Sequence, residues 1–252
     1  MTEFCLRLAQ ENILVRTLYS YTHNLCAEFL VEPGSFETPS IEVETSEEDI
    51  DFEREMSVQL AMQENRAPRQ FSDGYLESLA VYRKIATAFI EHDVMLFHGS
   101  AVQVDGKAYL FTAPSGTGKS THTNLWKELL GTRMSYINDD KPLLKFEGGA
   151  VSVLGTPWNG KHRLGSNVSA PLSAIVLLAR DESDWIEPVL PQDAIGALYA
   201  QSYRPDGAAK ITRTLALVAR LAQDASIYKL GCTPTQHAAR LSIETLCGDI
   251  LD

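Results

Sequence analysis

The residues that invite a chemical reading begin at Ser115-Gly116-Thr117-Gly118-Lys119-Ser120-Thr121 and resume at the paired acids Asp139-Asp140. Phosphate groups are held where several main-chain N–H groups converge on one small volume. Glycines permit the dihedrals this requires, and a helix N-terminus adds a favourable dipole. In such a loop Lys119 would reach the terminal phosphates of a nucleotide and Ser120 would offer its hydroxyl to a magnesium ion. Phosphoryl transfer to a hydroxyl then needs one carboxylate at the metal and a second to take the acceptor's proton. Asp139 and Asp140 close the apolar run Met134-Ser-Tyr-Ile137 and supply two carboxylates.

These residues need elements that bring them together. Met95–Val104 and Lys107–Thr112 read as two strands joined by Asp105-Gly106, a strong hairpin signal. The second strand runs straight into the glycine loop, and a helix follows to Leu130, stopped by Gly131. The strand Met134–Ile137 is expected to lie parallel and next to the strand before the loop, delivering the acids beside it. Further on, a strand near 150–154, a buried strand at Ala174–Leu178 and helices near 192–203, 209–222 and 234–247 are predicted.

Upstream the pattern differs. Tyr75, Leu76, Leu79, Tyr82, Ile85, Ala86, Phe89 and Ile90 recur at helical spacing behind Ser72-Asp73, predicting a long helix that opens the second module. Before it, Ile13–Tyr19 and Cys26–Val31 read as β-like runs, with a turn at Pro33-Gly34 and a solvated acidic stretch from Glu42 to Asp51. Residues 1–72 hold fourteen acids against five bases, whereas the rest of the chain holds nineteen against seventeen, so most of the net charge of −11 belongs to the first segment. Two electrostatic regions imply two modules: an acidic α+β module over 1–72 and a catalytic domain over 73–252.

Composition excludes several classes. With 252 residues and 44% hydrophobic content the chain is neither disordered nor a small disulfide scaffold, and Cys5, Cys26, Cys232 and Cys247 show no paired spacing. Its acidity disfavours nucleic-acid backbones and anionic membranes. With no apolar leader and no long apolar run, the expected location is cytoplasmic. The six histidines show no metal-binding spacing, and no nucleophile elbow is present.

A second informative stretch is Gly155-Thr-Pro-Trp-Asn-Gly-Lys-His-Arg-Leu-Gly165. Its glycines suggest a flexible surface loop, Trp158 an aromatic platform, and Lys161, His162 and Arg163 positive charge that would close over a transferred phosphoryl group. A basic turn with a packed tryptophan is the alternative. Arg204, just before Pro205, could add charge to the site.

His98-Gly99, the hairpin, Ala113–Thr121 and Asp139-Asp140 together resemble the catalytic domain of HPr kinase/phosphorylase, whose fold is shared with phosphoenolpyruvate carboxykinase. The resemblance implies a mixed α/β, P-loop-containing catalytic domain using ATP and Mg²⁺. Lys119 and Ser120 would bind them, Asp139 would associate with the metal, Asp140 would accept the proton and His98 would line the site. The sequence departs from the family at Ala113, where the P-loop pattern begins with glycine, at Lys141, where arginine is expected, and at Gly155–Gly165. The last departure points away from HPr as acceptor.

The leading expectation is an ATP- and Mg²⁺-dependent kinase acting on a hydroxyl of a peptide, a protein or a small molecule. A nucleotide-binding regulator or assembly protein with little turnover, and a carboxykinase-type reaction, are the alternatives. Self-association stays open, as does the acidic module's role, which is either to select a basic acceptor or simply to present a solvated face.

Overall fold

In a computed structural model, residues 1–32, 34, 38–63 and 65–248 are described. The turn expected at Pro33 lies outside them. The chain divides into two compact units, Met1–Phe89 and Ile90–Asp252.

In the first unit, β1 (Thr2–Leu8) and β2 (Glu11–Thr17) form an antiparallel hairpin. Its two turn residues, Ala9 and Gln10, both have positive φ. Helix α1 (Tyr21–Leu25) follows, then the two-residue strand β3 (Leu30–Val31), β4 (Ile41–Glu44) and the helices α2 (Glu47–Gln63) and α3 (Asp73–Phe89). The sheet order is β3-β1-β2-β4, with β4 parallel to β2. Two local expectations are corrected here. Cys26–Val31 is mostly a 3-10 turn, with only two residues in strand pairing. The acidic stretch is no loose linker: Ile41 and Val43 alternate into the core, and the acids of 47–49 occupy the first turn of α2, where the helix dipole favours them. The unit also extends past the boundary expected at 72, because α3 packs on α1, α2 and β4. Its buried Glu77 accepts hydrogen bonds from Leu18 N, Tyr19 N and Thr45 Oγ1.

The second unit is built on a curled mixed sheet. Its strands are β5 (Val94–Leu96), β6 (Ser100–Val104), β7 (Lys107–Thr112), β8 (Met134–Asn138), β9 (Leu143–Glu147), β10 (Ala150–Leu154), β11 (Ser169–Arg180), β12 (Trp185–Pro188) and β13 (Ser226–Cys232). The order is β5-β9-β10-β11-β7-β6-β8, with β13 pairing β11 and β12. Helix α4 (Lys119–Leu130) and α7 (Gln236–Cys247) cover one face through Trp126, Leu130, Ala239 and Ile243. Helices α5 (Pro191–Gln201) and α6 (Ala208–Asp224) cover the other through Ala194, Leu198, Leu217, Val218 and Leu221. Among the described residues no helix is long and apolar enough to cross a membrane.

Two differences from the sequence reading matter for the site. The run Met95–Val104 is broken at 97–99 instead of forming one strand, and this break carries His98. Strand β8 is not the neighbour of β7, because β6 lies between them and pairs antiparallel with both. The β8 direction therefore still matches that of β7, and the C-terminal ends of β7, β8, β11 and β13 share an edge with the N-terminal end of β6.

Candidate functional site

That edge gathers most of the residues singled out by sequence. Strand β7 ends at Thr112, and the chain turns through Ala113–Gly118 into α4. Gly116 and Gly118 have φ of 77° and 123°, the second being the residue that caps α4. An L side chain is strained in this region, so the loop shape depends on glycine there. Arg180, at the end of β11, clamps the loop from one side, with Nη2 donating to Gly116 O at 2.5 Å and Nε to Thr117 O at 3.1 Å. Lys119 holds it from another, its buried Nζ donating to Ala113 O at 2.9 Å and Pro114 O at 3.4 Å. The cation expected to reach a phosphate thus rests on loop carbonyls. Burial lowers the Lys119 pKa, opposed by the charges of Asp140 and Asp139.

The register of β6 against β8, with Ala101 opposite Asn138, sets Ser100 beside Asp139. Ser100 Oγ donates to Asp139 Oδ1 at 2.5 Å, and Ser120 hydrogen-bonds to the same carboxylate. Ser100 in turn meets Thr123 Oγ1 at 3.0 Å, joining the acid to the first turns of α4. Asp139 is only 8% exposed, and burial pushes its carboxyl above the ordinary range. The two hydroxyls and His162 oppose that rise, while the charge of Asp140 adds to it.

Asp140 sits further out, one-third exposed, with Oδ1 3.7 Å from His98 Nε2. The other ring nitrogen of His98 donates to Gln201 Oε1 at 2.8 Å, which leaves Nε2 bare toward Asp140. The main chain is tied in the same way: His98 N donates to Gln201 O at 2.8 Å, Gly99 N to Asp140 O at 3.0 Å, and Thr112 Oγ1 to His98 O at 2.8 Å. Burial, then the Lys119 charge, lower the His98 pKa, against the raising effects of Gln201 and Asp140.

The turn bearing both acids is organised by Asn138, which is fully buried. Its Oδ1 accepts from Asp140 N at 2.9 Å and Lys141 N at 2.6 Å, while its Nδ2 donates to Thr156 Oγ1 at 2.9 Å and Thr156 O at 3.2 Å. This side chain fixes the acids and ties them to the segment 155–165. That segment differs from the loop expected there. At its start Gly155 N donates to Val168 O at 3.0 Å, and at its end Leu164 O accepts from Asp139 N at 2.9 Å, so both its ends are anchored. Trp158 is 6% exposed and packed instead of forming a platform. Only the tip, with Lys161, His162 and Arg163, is exposed. The tip nevertheless comes close, since a Cβ on Gly160 would lie 3.0 Å from Asp140 Cβ. Arg204 is exposed, its guanidinium 5.9 Å from the centre of the Tyr199 ring. Ser115 and Thr117 lie on the loop and Thr121 in the first turn of α4.

Several residues at this edge carry no sequence signal strong enough to find them. Ser100, Arg180 and Gln201 are single polar residues at ends of elements, and only the sheet order brings them to the loop. His162 stood in the basic segment but gave no sign that it would act on Asp139.

Besides an open groove of about 430 Å³ along Pro114–Thr117 and Leu178–Arg180, two cavities border the loop among the described residues. One of about 360 Å³ is bounded by Thr117, Gly118, Thr121, His122, Arg180 and Thr233. The other, of about 730 Å³, runs from Thr112, Ala113 and Gln201 along α5. Buried His122, in the wall of the first, is pushed down to about 4 by burial and meets Ser242 Oγ at 2.9 Å, so it is neutral and structural.

Chemically, the edge combines a glycine-shaped helix N-terminus, a buried ammonium, a buried carboxylate with a neighbouring hydroxyl, and an accessible carboxylate beside a neutral imidazole. Oxygen donors of the Asp139 and Ser120 kind suit a hard cation. Among the described residues no group of three or more His, Cys, Asp or Glu is placed to hold a metal. The protein's own ligands would therefore need completing by a bound anion or water.

No protein-family model matches the chain, and no curated protein matches it. Among solved structures, an Hpr(Ser) kinase/phosphatase from Coxiella burnetii is similar over 60% of this chain and 87% of that chain, with 13% sequence identity and a TM-score of 0.36. A likeness of that degree carries no weight for activity or substrate.

Proposed function

We propose that the chain is an ATP- and Mg²⁺-dependent kinase that transfers the γ-phosphoryl group to a hydroxyl acceptor on a peptide, a protein or a small molecule. The observation that carries this reading is the pairing of two disfavoured charges at one glycine-shaped helix N-terminus. Burial outweighs the neighbouring charges in lowering Lys119 and raising Asp139, and a metal-bound triphosphate would bring further opposite charge to both.

The amides of Gly116–Ser120 and the Lys119 ammonium would take the phosphates, Lys119 leaving the carbonyls of Ala113 and Pro114 to do so. Ser120 and Asp139 fit a magnesium ion, which when bound would neutralise charge on the departing phosphate. Asp140 would accept the acceptor's proton while the acceptor oxygen forms its bond to the γ-phosphorus. The bond from that phosphorus to the β,γ-bridging oxygen breaks, and its electron pair leaves with ADP. His98, with Nε2 bare, keeps a second proton-accepting atom next to Asp140. Lys161 and Arg163 on the nearby exposed tip would move onto the transferred charge.

Calorimetry with ATP and with GTP, each with and without MgCl₂, tests the first half. Micromolar uptake that Lys119→Ala abolishes is expected, and no uptake of either nucleotide would end the kinase reading. Asp140→Asn should keep that uptake while transfer from γ-labelled ATP falls by about 10²- to 10⁴-fold. Normal turnover in Asp140→Asn would remove it from the base role.

A further inference from the structure

Of the cavities that border the glycine loop, the smallest and the largest reach different residues. The smaller reaches the first turn of α4 through Thr121 and His122. The larger reaches Thr112 and Gln201, the two residues whose side chains hold His98. His98 lies 3.7 Å from Asp140, so the larger cavity is the one connected, through Gln201, to the carboxylate that would take the acceptor's proton.

We infer that the larger cavity binds the apolar part of the acceptor, and that the chain selects hydroxyls carried next to a bulky aliphatic group. This rests on the kinase reading above and adds the class of substrate. At about 730 Å³ the cleft has the size of sites that enclose small ligands. Its walls are Leu177, Ala179, Val189, Leu190, Ala197 and Ala200. On α5, positions 193, 197, 200 and 201 share one face, and the small side chains at 197 and 200 leave the width of the cleft open. Ala194 and Leu198, about a quarter-turn around α5 from Asp193 and Ala197, are fully buried in the core, whereas Asp193, Ala197 and Ala200 are exposed toward the cleft. Leu190 is 61% exposed, an aliphatic side chain at the rim that a ligand would cover. The charges around the cleft are Glu187, Asp193 and Lys229, an acidic excess that disfavours phosphorylated or polyanionic acceptors.

Continuity with the proton-accepting pair is what separates this cleft from an idle surface groove. Gln201 lines the cleft and bonds His98 Nδ1, while Ala113 and Pro114, also lining it, offer the carbonyls on which Lys119 rests. The cleft is thus joined to Asp140 through Gln201 and His98, by a 2.8 Å hydrogen bond and a 3.7 Å approach.

The test uses the full chain and two synthetic probes, N-acetylserinamide and N-acetylseryl-leucinamide. With Mg²⁺ and γ-labelled ATP, the leucine probe is expected to have a kcat/KM about 10- to 100-fold higher, the gain from burying one isobutyl group. Ala197→Arg, which fills the cleft, should bring the ratio close to one, and Leu190→Ser, at an exposed position, gives a second reading should the first variant not fold. Binding is followed separately by methyl NMR on ¹³C-alanine and ¹³C-leucine protein, where the leucine probe should shift Ala197, Ala200 and Leu190. A ratio of one in the parent, or shifts absent from those methyls at millimolar probe, overturns the inference even when nucleotide uptake is intact. Failure of the kinase reading shows itself differently, as no nucleotide uptake at all.

Discussion

Asp139 is the residue where burial and charge conflict most directly. Its carboxyl is held above the ordinary 3.8 chiefly by burial, so the folded chain binds that proton more tightly than the unfolded chain does. Stability from this group is therefore full below 3.8 and is lost as pH rises through the folded-state value. Asp139→Asn should melt at a higher temperature than the parent at pH 7 in metal-free buffer and at the same temperature near pH 3. The reverse sign at pH 7 would mean that the carboxylate is already satisfied and has no call on a cation. His98 makes the complementary case. Its lowered pKa keeps Nε2 unprotonated at neutral pH, and the acid limb of transfer is expected below 6.5. Lys141 is one of the charges that lower it, so Lys141→Gln should move that limb upward. An unmoved limb would assign it to another group.

At the scale of elements, the glycine loop is a shape held by two cations. Arg180 and Lys119 take its carbonyls, and of its N–H groups that of Thr117 donates to Pro114 O at 3.3 Å. Arg180→Met should weaken nucleotide uptake roughly tenfold with little change in melting temperature, because the side chain is exposed. Gly118→Ala tests the dihedral alone. A Cβ there would meet nothing within 4 Å, but φ is 123°, so the whole effect is backbone strain. A loss of roughly tenfold or more in nucleotide affinity is expected by calorimetry. Unchanged affinity would show that the loop does not need this conformation to bind. The acid-bearing turn is the matching element on the other side of β6, and Asn138 serves it as Arg180 serves the loop.

For the molecule as a whole, the two compact units have separate stabilising centres. In the first, Glu77 collects two consecutive main-chain amides, of Leu18 and Tyr19, and the hydroxyl of Thr45. Glu77→Leu should destabilise this unit by about 3 kcal/mol, since those donors lose their acceptor inside the protein. Hydrogen exchange should then speed up in β1 and β2 while nucleotide uptake, which depends on residues beyond 90, is retained. Loss of both together would mean that the units fold as one. The acidity of the chain stays concentrated in the first unit at either boundary, so the charge division survives the move of α3.

The local parts of this protein were legible in its sequence because they depend on neighbours in the chain. The Asp105-Gly106 hairpin, the run from Lys107 through the loop into α4, the stop at Gly131 and the acids after Ile137 each follow from turn chemistry, glycine dihedrals or periodicity. Residues that meet across elements were not legible. The placing of β6 between β7 and β8 brings Ser100 to Asp139, the break at 97–99 brings His98 to Gln201, and packing turns Trp158 inward. Such meetings depend on strand order and on which faces bury apolar surface. Those are properties of the folded chain, and no spacing along the sequence encodes them singly.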